Sequence, residues 1–135
     1  MLTTGDCFTL RNFEKPRLHI IVIEQRPGQD YGQVISVYLS SCENKRPEMI
    51  DPWTILDVGD HSYIDKKSFV KYQSAFTYDK EWLSKNILDN YEPISPQILE
   101  SLQTAFDANS GNPRIVKKYI NLFNEWHIDN LMANL

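Results

Sequence analysis

A chain of 135 residues, 41% hydrophobic and 12% aromatic, holds one domain's worth of material and enough apolar surface for one core. Its longest apolar run, Ile20 to Ile23, is far too short to cross a bilayer, and a net charge of −4 excludes a protein whose whole surface traps nucleic acid by charge. Any basic site must be local, and the segment from Arg11 to Arg17 concentrates Arg11, Lys15 and Arg17 against the single acid Glu14.

The opening MLTTGDCFTL lacks the basic stretch and apolar run that export requires, so a cytoplasmic protein is expected, with Cys7 and Cys42 reduced. Neither cysteine has the spacing or the histidine neighbours of a metal site, and no metal or other cofactor is expected.

In chain order, Gly5 to Leu10 alternates well enough for a first strand, and Arg11 to Pro16 reads as a polar loop closed by proline. Leu18 to Glu24 (LHIIVIE) is apolar apart from His19 and its final Glu24, the pattern of a strand covered on both faces near the middle of a sheet. Pro27, Gly28 and Gly32 mark a hairpin loop. Gln33 to Ser41 (QVISVYLSS) is a third strand, with Val34, Ser36, Tyr38 and Ser40 on one side and Ile35, Val37 and Leu39 on the other. Cys42 to Pro52 is a polar loop containing Lys45-Arg46-Pro47.

Thr54 to Tyr72 is the stretch around which the rest is arranged. It runs from Ile55-Leu56 through a turn at Gly59-Asp60-His61 and a polar rise at Asp65-Lys66-Lys67. A strand about Phe69 and Val70 follows and continues through Phe76 and Tyr78. Gly59 and Asp60 suit the turn sterically, whereas the turn has no steric need for His61, which marks it as a candidate for proton transfer.

Asp79 reads as the N-cap of a short helix through Leu88, and Pro93 ends that connection. Ser95-Pro96 opens a helix striped by Ile98, Leu99, Leu102, Ala105 and Phe106 and stopped by Ser110-Gly111. Asn112-Pro113 opens a last helix, whose stripe of Ile115, Val116, Tyr119, Ile120, Phe123 and Trp126 runs toward Leu131. Trp53, Trp82 and Trp126 are expected in the core.

Strands first and helices second predict an α+β fold. The expected organisation is a single domain over 1–135, a small β-barrel with its short helix over 1–88 and two C-terminal helices over 95–131 packed on it.

The run Gly59-Asp60-His61-Ser62-Tyr63-Ile64, with Ser68-Phe69-Val70-Lys71-Tyr72, resembles a motif of small bacterial proteins related to the PemK/MazF toxins. The order of elements over Gly5 to Leu88 is also similar to theirs. The resemblance implies an SH3-like barrel with helical additions and a metal-independent endoribonuclease paired with a protein antitoxin. In those toxins a basic residue beside the proline of the first loop and a Ser or Thr ending the third strand form the cleavage site. The matching positions are Arg17, next to Pro16, and Ser40 or Ser41. Here the loop reads Glu14-Lys15-Pro16-Arg17, without the toxins' glycine and with the arginine after the proline.

RNA cleavage without a metal needs a base for the 2′-hydroxyl, an acid for the leaving oxygen and cations or donors for the charged phosphorane. Arg17 is the expected cation, Ser40 or Ser41 the phosphate donor, and His19, His61 or Glu14 the proton carriers. Lys15 is the expected second cation, and Tyr63 and Tyr72 are candidate platforms for unpaired bases. The expected partners are RNA, an antitoxin-like protein and a second copy of the chain, with no membrane. The other reading is a module of the same fold that binds a protein partner and catalyses nothing, which the acidic charge favours. No Gly-x-Ser-x-Gly elbow, phosphate loop or dinucleotide motif is present.

Overall fold

A computed structural model of the chain describes residues 2–11, 13–24 and 32–108. The last predicted helix, Trp126 and Leu131 included, lies outside the described residues.

The order of elements is β1 (Cys7–Leu10), β2 (His19–Glu24), β3 (Gln33–Ser41), a single 3-10 turn (Pro47–Met49) and β4 (Ile55–Leu56). These are followed by β5 (Ser68–Asp79), α1 (Lys80–Asn86), β6 (Ile87–Tyr91) and α2 (Pro96–Ala108). The strands form one antiparallel sheet in the order β4-β5-β3-β2-β1-β6, curled into a half-barrel. Among the described residues no helix is long and apolar enough to cross a membrane.

Strand β2 occupies the middle of the sheet, as its unbroken apolar run requires. Ile20, Ile21, Val22 and Ile23 are all at 0% exposure because each face of the strand is covered. Ile20 and Val22 join Ile35, Val37, Leu39, Val70 and Tyr72 in the larger cluster, which Leu102 of α2 completes. Ile21 turns the other way, to Phe8, Leu10, Val34 and Leu83 of α1. A register shift between Ile21 and Ile23 returns Ile23 to the larger cluster.

The curl has a visible origin in β5. Its pairing with β3 slips between Ser36↔Phe76 and Tyr38↔Lys71, so β5 carries extra residues against one step of β3. At the slip the Ser74 hydroxyl accepts the Tyr38 N–H at 3.3 Å and supplies the acceptor that the ladder lacks there.

Several local expectations are corrected. The short helix ends at Asn86 rather than Leu88, and the chain leaves it as a strand, β6, which pairs with β1 from Cys7↔Tyr91 to Leu10↔Ile87. Ile87 to Tyr91 faces solvent along most of its length, so it has no alternating apolar signal from which a strand could be read. Asp79 precedes α1 without capping it, because its carboxylate accepts the Gln33 side-chain amide across the β3–β5 pair at 3.2 Å. Trp82 is not a core residue: it is 43% exposed and stacks on Tyr78 with ring centroids 5.4 Å apart. Trp53 is half-buried against Tyr72.

Ser95 does cap α2, accepting the Ile98 N–H at 3.3 Å. The two cysteines are free, and burial pushes the Cys7 thiol up to about 12.

Candidate nucleic-acid cleft

The pairing of β2 with β3 sets the site. His19 lies opposite Tyr38, and the ladder continues upstream through the Leu39 N–H to Leu18 carbonyl bond of 3.0 Å. Two residues before His19, Arg17 therefore falls opposite Ser40, two residues beyond Tyr38, with both side chains on one face. Arg17 Nη1 donates to Ser40 Oγ at 3.3 Å, and its guanidinium carbon lies 5.0 Å from the centre of the Tyr38 ring. The Lys71 ammonium approaches the same ring at 5.9 Å.

This pair stands in a cleft of about 310 Å³, whose walls include Lys15, Pro16, Ser41, Glu43, Lys45, Tyr63, Asp65 and Lys66. Lys45 Nζ donates to the Ser41 carbonyl at 2.6 Å and lies 5.9 Å from the centre of the Phe69 ring. Partial burial lowers the Lys45 pKa, and Arg17, Lys15 and Lys71 lower it further, the mark of a local positive field in an acidic protein. Lys66 meets Glu43 at 2.8 Å and holds that carboxyl below its usual range. Lys15, Arg17 and Lys45 thus face the cleft with little compensation from that acid. A second cleft of about 260 Å³ adjoins the first across Ser40 and Lys45.

Of the residues expected at the site, Lys15, Arg17, Ser40, Ser41 and Tyr63 line this cleft together. The Tyr63 hydroxyl donates to the Pro16 carbonyl at 3.2 Å, tying the turn to the first loop. Glu14 is exposed beside the cleft without lining it.

His61 is drawn elsewhere. Its Nδ1 accepts the Tyr63 N–H at 3.1 Å, which leaves Nε2 protonated to donate to the Glu92 carbonyl at 2.7 Å. With its side chain 1% exposed and both nitrogens engaged, His61 clamps the turn to the segment after β6. The adjoining Glu92 carboxylate, bonded by Ser62, is held down at about 2. Gly59 makes this turn possible, since its φ of +104° suits a residue without Cβ.

His19 is buried among Phe8, Phe13 and Tyr38, where burial first, and then Arg17, lower its pKa to about 4. Its Nε2 has no hydrogen-bond partner among the described residues. Tyr72 belongs to the core face and shares a 2.6 Å hydrogen bond with Thr54.

Glu43, Lys45, Asp65 and Lys66 also line the cleft, and no local sequence pattern marks them as site residues. The Lys45-Arg46 pair was legible as basic loop sequence. Its position over the end of β3 depends on a reversal at Cys42 to Lys45, where Asn44 takes a φ of 60°.

Such a half-barrel, with a basic cleft at the end of its third strand, agrees in fold with the PemK/MazF resemblance. The chain is similar to a solved structure described as an endoribonuclease in complex with its cognate antitoxin from Mycobacterial species. The TM-score is 0.56 at 16% identity, over 84% of this chain and 98% of that one. At that identity the likeness is one of fold. No protein-family profile matches the chain, and no curated protein matches it by sequence.

Proposed function

We propose that the protein is a toxin-type endoribonuclease of a bacterial, cytoplasmic toxin–antitoxin-like system, cutting RNA without a metal. In this reading the chain is one domain on an SH3-like barrel frame. The observation that carries it is the direct bond between Arg17 and Ser40 in a cleft shared with Lys15 and Lys45.

A planar guanidinium beside a hydroxyl offers donors at two angles to the oxygens of one phosphate. As the 2′-oxygen attacks phosphorus, negative charge builds on the phosphorane oxygens, and Arg17, Ser40 and Lys45 stabilise it there. Among the described residues the cleft wall has carboxylates at Glu43 and Asp65, and in this reading one of them, or solvent, moves the proton. Electrostatic stabilisation then supplies the larger share of the rate. Tyr63 supports one wall and offers a ring for an unpaired base.

The likeness to an endoribonuclease bound to its antitoxin supports a protein partner that restrains the activity. A second copy of the chain is a further expected partner. The test is cleavage of a mixed-sequence RNA in chelator by the wild-type protein and by Arg17→Ala, with folding checked by circular dichroism. Loss of at least about 10² in rate supports the reading. Equal rates, or no cleavage by the wild type, end it.

A second reading has its own observation. Both described histidines that could carry protons are buried away from the cleft, His61 clamping a turn and His19 inside an aromatic cluster. That arrangement favours a binding module which keeps the phosphate-holding groups and acts through a protein partner.

A further inference from the structure

We infer that the second cleft is a nucleobase subsite that selects bases bearing an exocyclic amino group over uracil. The inference rests on the first cleft being the phosphate site, because the two clefts share Ser40 and Lys45. A chain whose phosphate is held by Arg17, Ser40 and Lys45 must place a neighbouring base somewhere, and this hollow opens directly beside those groups.

Its construction fits one unpaired base. The floor comes from β5, where Phe69 and Lys71 are two residues apart and so project from the same face. Phe69 is opposite Ser40 in the sheet, and Lys71 is opposite Tyr38. The outer wall is the 3-10 turn, which places Met49, 53% exposed, as an apolar lip against the flat face of a ring. At about 260 Å³ the hollow takes a base and no duplex.

The polar groups are of opposed kinds. Glu48 and Asp51 offer carboxylate oxygens that only accept, while Lys45 and Lys71 only donate. Asp51 also accepts the Trp53 N–H at 3.1 Å, which fixes its carboxylate in place. Glu48 meets Arg46 at 3.4 Å at the exposed rim. Cytosine and adenine each present an amino donor beside a ring-nitrogen acceptor, and guanine presents donors and acceptors on adjoining edges. These bases can satisfy both sets at once. Uracil carries a single N–H between its two carbonyls, so it can satisfy one carboxylate and both ammonium groups but leaves the second carboxylate without a donor. An amino group has two N–H donors to share.

The test is equilibrium binding of short A, C and U homopolymers at low salt to the full chain, its Glu48→Gln and Gln73→Ala variants, and Arg17→Ala. The expected result is A and C bound about five- to tenfold more tightly than U. Glu48→Gln, whose amide can donate to a uracil carbonyl, should shrink that ratio to about twofold or less. Gln73→Ala, at the open end of the hollow, should shrink it less. Arg17→Ala should weaken all three alike and leave the ratio intact.

Equal binding of the three by the wild type, no binding of any, or a ratio untouched in Glu48→Gln would overturn the inference. A base preference without cleavage in chelator would sink the nuclease reading and leave the subsite standing. Cleavage without a base preference would do the reverse.

Discussion

Arg17 and Ser40, 23 positions apart in the chain, meet at 3.3 Å because the β2–β3 register sets them opposite one another on the same face. The contact is an inherited property of the ladder: whatever fixes His19 against Tyr38 also fixes Arg17 against Ser40. An arginine placed one residue earlier or later would face the core cluster instead. Lysine at this position would keep the charge and lose the planar fork, so Arg17→Lys is expected to recover only a small part of the activity lost in Arg17→Ala. The check is the rate of both variants on one RNA, with thermal midpoints within a few degrees of the wild type, as expected for a half-exposed side chain.

His61 is expected to matter for stability before chemistry. Truncation to alanine removes the acceptor for the Tyr63 N–H and the donor to the Glu92 carbonyl, both near a buried ring. A loss of about 2 to 3 kcal/mol follows, measured by urea denaturation. Where His61→Ala remains folded, its cleavage rate should fall less than that of Arg17→Ala. A loss equal to that of Arg17→Ala, at unchanged stability, would make His61 a catalytic residue after all.

His19 makes folding sensitive to acid. Its folded pKa of about 4 lies below the ordinary 6.5, so between those values the unfolded chain takes up a proton that the folded chain refuses. Stability is therefore unaffected by this group above about pH 6.5 and falls as pH drops toward about 4, by about 3 kcal/mol in all. Replacing His19 with Phe removes the titration and leaves no orphaned Nε2, so the variant's stability should fall less over that window. Parallel curves for the two proteins would refute the assignment.

The cluster of Lys15, Arg17 and Lys45 predicts a salt-dependent RNA affinity. Three phosphates neutralised on a single strand give a slope of about −2 in a plot of log affinity against log salt. Lys45→Ala should flatten it by about 0.7. A slope near zero would mean that the cleft does not hold the RNA backbone.

The sequence carried the composition of each strand further than the relation between strands. The two-sided burial of β2, the face division of β3 and the extent of β3 were legible because alternation and apolar runs are local patterns. The same alternation placed Ser40 and Tyr38 together. It could not place Arg17 with them, since register is a pairing between strands and leaves no mark on either one.

The structural role of His61 was hidden for a related reason. A histidine without a steric role in its own turn can have one toward Glu92, 31 positions away, and only the folded chain brings that carbonyl to it. Strand β6 was hidden because it earns its hydrogen bonds from the edge of β1 rather than from buried side chains of its own.

The clamp between His61 and Glu92 also orders events in time. Tyr63 forms a wall of the cleft, and its backbone is held by His61, whose own anchor lies beyond β6. Strand β6 in turn closes on β1, the first of the described strands in chain order. The cleft is thus completed only after almost every described residue has been synthesised, and a nascent chain shorter than Glu92 carries the cations without the wall that shapes them. Long-range closure of this kind is slow relative to local folding.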